Sequence, residues 1–156
     1  MIKRIEKISE LKEVLVALKN NKNLGKITEK QKHIAGDWNI DHLIEQMTLL
    51  LLTFKSNAVF VCYFKDEKPA SFFAGLISED WSCGKKGLSE IVWLSVESTM
   101  FGGVRVLQEV EKIILEKNID FLSINYMCNG GDPRIQGFYM NNGFRLDTLN
   151  FVKNYK

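Results

Sequence analysis

At 156 residues, with 46% apolar and 26% charged side chains, the chain has the size and make-up of one soluble globular domain, read as a single unit over residues 1–156. Lys and Arg number 21 against 19 Asp and Glu, a formal net charge of +2, so no charge excess points to nucleic acid as the main partner. Three cysteines (Cys62, Cys83, Cys128) form no CxxC pair and lie well away from His33 and His42, which argues against a zinc site or disulfide framework. A reducing, cytoplasmic setting is expected, with no metal.

In chain order, the opening MIKRIEKISELKEVL interleaves charged and apolar residues and lacks the unbroken apolar core of a signal peptide. Ile2 to Ile5 predicts a short strand. Leu11, Val14, Leu15 and Leu18 recur at three- and four-residue spacing, an amphipathic helix capped at Ser9 and ending in the Asn20–Asn23 cluster. A polar loop over 21–36 follows, then a second helix from about Ile40 to Phe54, capped by Asp37 or Asn39. Its run MTLLLLTF falls far short of the ~20 residues that span a bilayer, so it reads as a buried helix and no membrane role is expected.

The runs AVFVCYF and ASFFAGLIS flank the polar turn KDEKP, the pattern of an antiparallel hairpin. After the turn WSCGKKG comes LSEIVWLSVES, a strand whose Ile91, Val92, Leu94 and Val96 predict burial on both faces. TMFGGV then reads as a turn into the helix RVLQEVEKIILEKN, with Val106, Leu107, Val110, Ile113 and Ile114 as its apolar stripe. A strand is expected over Phe121–Met127. Asp132 as N-cap and Pro133 at the first helical position start a short helix. Gly143 ends it with a left-handed C-cap, and Phe144 to Tyr155 supplies a final strand or hairpin. Strands first, then alternating strands and helices, predict an α/β layer with a mixed sheet.

The unit from Glu90 to Lys117 (strand, glycine-containing turn, helix) carries the first chemical signal. Amide groups at a helix start, with the macrodipole behind them, make an anion site. Gly102 and Gly103 allow close backbone approach, and Arg105 offers a charge-assisted contact. The pattern is neither a P-loop nor a GxGxxG fingerprint, and an ordinary tight turn is the other reading.

Joined to the later helix ending FYMNNGF, this unit resembles the GNAT superfamily of acyl-CoA N-acyltransferases. The matching residues are Asp132, Ile135, Gln136, Phe138, Tyr139, Gly143 and Phe144, with FVKNY similar to the closing strand, over roughly Ala58 to Lys156. The resemblance implies a mixed, mostly antiparallel sheet of about seven strands flanked by about four helices. It implies an N-acetyltransferase that moves an acetyl or other acyl group from acetyl-CoA, as cosubstrate, to a primary amine by direct attack. The family's pyrophosphate loop, [Q/R]-x-x-G-x-[G/A], falls on Thr99, Gly102 and Val104. It is a degenerate copy: Thr99 lacks the long polar side chain, Val104 is branched where a small residue is usual, and Asp132 stands where the family has Asn. Gly103 and Arg105 complete that cofactor region.

Backbone N–H groups over Leu94, Ser95 and Val96 would polarise the thioester carbonyl. Glu90 or Glu97 would take the amine proton, and Tyr139 would return one to the departing thiolate. The plainer readings are solvated strand-end charges for the two glutamates and core packing for Tyr139. Trp38, Trp81 and Trp93 read as packing, with Trp81 the best exposed aromatic. Acceptor choice would lie in Asn20–Phe54, which holds both histidines, and in Ser78–Gly87. Dimers are frequent in that family, which makes a homodimer a candidate assembly. The alternative is a GNAT-fold protein without catalysis, acting as a binding or assembly module.

Overall fold

The computed structural model describes residues 1–22, 39–96, 101–125 and 133–147. Its elements in order are β1 (Ile2–Arg4), α1 (Ile8–Lys19), α2 (Ile40–Thr53), β2 (Ala58–Lys65), β3 (Lys68–Glu79), β4 (Lys86–Ser95), α3 (Phe101–Glu116), β5 (Phe121–Ser123) and α4 (Pro133–Asn141). The sheet runs β1-β2-β3-β4-β5, antiparallel through β4 and parallel between β4 and β5.

Local chemistry accounts for most of these elements. α1 buries Leu11, Val14, Leu15 and Leu18, the stripe its spacing predicts. Its N-cap is Lys7, with no side-chain bond, because the helix already includes Ser9. At α2 the Asn39 side chain accepts the backbone N–H of His42 at 3.0 Å, satisfying one of the helix's unpaired amides. The β2–β3 hairpin turns at Asp66 and Glu67, both with positive φ (48° and 63°), the primed geometry that matches strand twist. No helix among the described residues is long and apolar enough to cross a membrane.

Two apolar layers sandwich the sheet. Phe60, Cys62, Phe72, Ala74, Val92 and Leu94 pack with α1 and α2 on one face. Val59, Val61, Phe73, Ile77 and Leu88 pack with Val106, Val110 and Ile113 of α3 on the other. Burial pushes the Cys62 thiol up to about 12, so it behaves as a small apolar side chain. Arg4 ties β1 to α3: its Nε donates to Glu109 at 2.7 Å and its two terminal nitrogens donate to Glu116.

β4 departs from simple alternation. Its register with β3 shifts between Ala74 and Gly75, so Ala74 faces Val92 while Gly75 faces Glu90, leaving Ile91 as an extra residue. Before this bulge Leu88 faces α3. After it Val92 and Leu94 face α1 and α2, and Trp93 takes the α3 side.

Four further expectations change. The described residues hold five strands, not about seven. Of the expected closing strand or hairpin, residues 144–147 carry no strand, and 148–156 lie outside the described residues. The strand expected to Met127 ends at Ser123, and α3 opens at Phe101, so Gly102 and Gly103 sit inside its first turn instead of ahead of it.

Candidate active site

β4 and β5 pair only over Gly87–Phe121, Leu88–Leu122 and Ser89–Ser123. Gly87 lets the Phe121 ring sit directly on the strand, since a Cβ there would stand 2.3 Å from the ring and push it aside. Beyond Ser89 the β4–β5 ladder stops, and among the described residues β4 runs on to Ser95 paired with β3 alone. The result is a fork with one open main-chain edge.

The alternation of antiparallel bonds decides which amides face that edge. Val96 N–H donates to the Ala70 carbonyl at 2.9 Å, in register with the pairs Leu94–Phe72 and Val92–Ala74. The N–H groups of Trp93 and Ser95 therefore point away from β3, into the fork. Of the three residues expected to offer an amide, Ser95 has the right phase. Val96 is already committed, and the Leu94 and Val96 side chains are buried in the α1/α2 layer.

Glu90 stands at the mouth of the fork. The backbone N–H of Asn125 donates to its Oε2 at 3.1 Å, and the Asn125 side-chain Nδ2 donates to its carbonyl oxygen at 3.2 Å. Burial pushes the Glu90 carboxyl up to about 7, and the Asn125 N–H bond pulls the other way.

Tyr139 reaches the same place from α4. Its ring lies 6.1 Å from Trp93, 5.5 Å from Phe138 and 5.5 Å from Phe144. Burial first, and the Glu90 charge second, raise its hydroxyl above the ordinary phenol range. The helix end fixes this position. Gly143 (φ 82°) permits a Schellman cap in which Phe144 N–H donates to the Tyr139 carbonyl at 3.1 Å and Gly143 N–H to the Met140 carbonyl at 3.2 Å. The ring contact between Tyr139 and Phe144 is the apolar pair that accompanies such a cap.

Trp93 joins the parts. Its indole N–H donates to the buried Ser71 hydroxyl at 3.2 Å, and its ring meets Phe73 edge-on at 5.7 Å. A Cβ on Gly103 would be 3.8 Å from the same ring, so the first turn of α3 abuts the Glu90–Tyr139 corner through one indole. A first turn of this kind, with outward amides and a positive macrodipole, is where a phosphate would be held. Arg105 is exposed there, stacked 5.0 Å over the Phe101 ring. Gly102 is buried and Val104 half-buried.

The structure thus brings Glu90 and Tyr139 together and sets Gly103 against the same corner through Trp93, while Ser95 lies further along β4 and Gly102, Val104 and Arg105 are neighbours of Gly103 at the start of α3. Glu97, Thr99 and Asp132 lie outside the described residues, as do His33 and Trp38. His42 is exposed in the first turn of α2, and Trp81 is 97% exposed. Trp93, read as packing, does pack, as the wall shared by α3 and α4. Sequence reasoning missed one neighbour of the corner. Asn125, unremarked, pairs with Glu90 through a register that no local pattern encodes.

No family model matches the chain, and no curated protein matches it. Solved structures do. An aminoglycoside acetyltransferase from an uncultured soil metagenomic sample, in complex with trehalose, superposes with a TM-score of 0.70 at 13% identity, covering 100% of this chain and 96% of its own. A GNAT family acetyltransferase from Staphylococcus aureus gives 0.65 at 13%, covering 99% and 97%. A ribosomal-protein-alanine N-acetyltransferase from Brucella melitensis gives 0.66 at 11%, covering 99% of each chain. The chain has the fold of the GNAT acetyltransferases.

Proposed function

We propose that the chain is an N-acetyltransferase that transfers an acetyl group from acetyl-CoA to a primary amine by direct attack, with the β4–β5 fork as its centre. The observation that carries this reading is the meeting of Glu90 and Tyr139 at the fork, two titratable groups set to opposite tasks. With its carboxyl near 7, Glu90 is ionised often enough to accept a proton from the arriving ammonium and basic enough to hold it. Tyr139, raised above its ordinary value, stays protonated at neutral pH and is suited to protonate the thiolate that leaves. The Ser95 N–H supports the carbonyl oxygen as charge builds on it. Orientation supplies much of the rate, because a thioester carbonyl needs little activation.

The start of α3, through Gly102, Gly103, Val104 and Arg105, is assigned to the pyrophosphate, and the family resemblance adds Thr99 and Asp132 to the cofactor residues. Glu97 is the alternative carboxylate. The names of the structural neighbours specify acceptors as unlike as an aminoglycoside and a ribosomal protein. The acceptor assigned to this chain is a primary amine of no narrower class.

The non-catalytic reading draws on the degenerate loop at Thr99 and Val104. Titrating acetyl-CoA by calorimetry separates the two. Binding in the micromolar range, with thiol release on adding a panel of primary amines, is expected; no binding at high micromolar concentration would sink the enzyme. Tyr139→Phe is expected to lower kcat about 100-fold, the lower end for general acid catalysis, with acetyl-CoA affinity within about twofold. Lost affinity with unchanged turnover would make Tyr139 a cofactor contact instead.

A further inference from the structure

The β4–β5 ladder ends at Ser89–Ser123, and its next pair would set Glu90 against Ile124. Asn125, one residue further, makes the connection instead, and makes it twice. Its main chain holds the Glu90 side chain (N–H to Oε2, 3.1 Å) while its side chain holds the Glu90 main chain (Nδ2 to O, 3.2 Å). The carbonyl it caps sits at the bulge, where the β3–β4 register breaks. A half-buried carbonyl at such a break would otherwise lack a ladder donor, and the asparagine amide supplies one. The two bonds close a ring through both residues, so the carboxylate and the strand bearing it cannot shift independently.

We propose that Asn125 is a positioning residue for Glu90, stapling the mouth of the fork so that the carboxylate stays where it can accept a proton. The catalytic part of this assignment rests on the acetyltransferase reading; the staple itself does not. The surroundings of Glu90 are simple. α4 presents Tyr139, which is neutral at working pH, β3 presents Gly75, and β5 leads into Asn125. Among the described residues no cation acts on the carboxylate, so the Asn125 amide is the group that favours its ionised form.

The test is a titration of Glu90 itself. Carbon-13 NMR of the glutamate side-chain carboxyls follows it, with the Glu90 signal assigned by its loss in Glu90→Gln. Removing the side-chain anchor in Asn125→Ala frees the 125 N–H to drift from Oε2. The Glu90 midpoint is then expected to rise by about one pH unit, roughly tenfold in proton affinity. Asn125→Asp, of the same size, loses the donor and adds a carboxylate, so its midpoint is expected to rise further. Asn125→Asp also serves if Asn125→Ala does not fold. The acid limb of kcat/KM should move by the same interval, so that activity lost at pH 6.5 returns at pH 8.5. An unmoved Glu90 midpoint overturns the proposal whatever the activity, and so does an even loss of kcat/KM across pH with the limb in place. A wild-type protein that turns over no acetyl-CoA defeats the acetyltransferase reading alone, because the NMR midpoint still decides the staple.

Discussion

The two ends of β4 belong to one strand but are held in different ways. From Lys86 to Ser89 it lies between β3 and β5, with the Phe121 ring seated on Gly87 and Leu88 fully buried against the α3 layer. From Glu90 to Ser95 it keeps β3 but, among the described residues, has lost β5, and a carboxylate and outward amides line that side. A finished ladder consumes its main-chain donors; an unfinished one leaves them for a ligand. On the proposed function, stability gathers at the closed end and chemistry at the open end, the usual division between packed core and functional site.

The largest test of that division is Glu90→Gln. On the reading above, kcat at pH 8 falls 100-fold or more as the base is lost. Stability moves the other way. The folded-state value near 7 lies above the unfolded 4.5, so the carboxyl contributes fully below about pH 4.5 and that contribution is lost as pH rises through 7. Glutamine keeps an acceptor for Asn125 without the charge. It should therefore gain roughly 2 kcal/mol in urea unfolding at pH 8 relative to pH 5. Equal gains at both pH values would mean that Glu90 does not titrate in this window.

Next is Gly87→Val at the closed end. The branched side chain must displace the Phe121 ring, at about 2 kcal/mol. This loss should be independent of pH and leave the acid limb of kcat/KM in place. A shifted limb would show that the two ends are not separable. The smallest effect is expected at Gly143→Ala, about 1 kcal/mol, from forcing a Cβ into the left-handed region with open space around it. Its readout is thermal melting, with kcat lowered only as far as Tyr139 shifts on its loosened helix end.

What could be read in the sequence was what is decided locally. The α1 stripe, the Asn39 cap and the β2–β3 hairpin each rest on a few neighbouring residues. So does the Tyr139–Gly143–Phe144 helix end, where cap geometry, positive φ and ring contact appear together. The open phase of Ser95 against the committed Val96 could not be read, because it depends on the bulge, and Leu88 to Val96 is apolar on both sides of it. Glu90 was visible as a strand-borne carboxylate, but its partner lies 35 residues later and meets it through a parallel register. The described residues hold five strands where the resemblance implied about seven, a number carried over from the family sheet and not read from these residues.

The extra residue at Ile91 also bears on how this chain tolerates insertions and deletions. The strand is written in two frames, and an apolar residue at an even position means one layer before Ile91 and the opposite layer after it. Deleting Ile91 would erase the bulge without inverting the strand: Glu90 would still face Gly75, Val92 would still face Ala74, and Trp93 would keep its place on the α3 side. What would go is the bend in β4 beside the Glu90 carbonyl, where the Asn125 side chain donates. A deletion elsewhere in the strand has no such spare residue to absorb it, and would turn the side chains beyond it to the opposite layer.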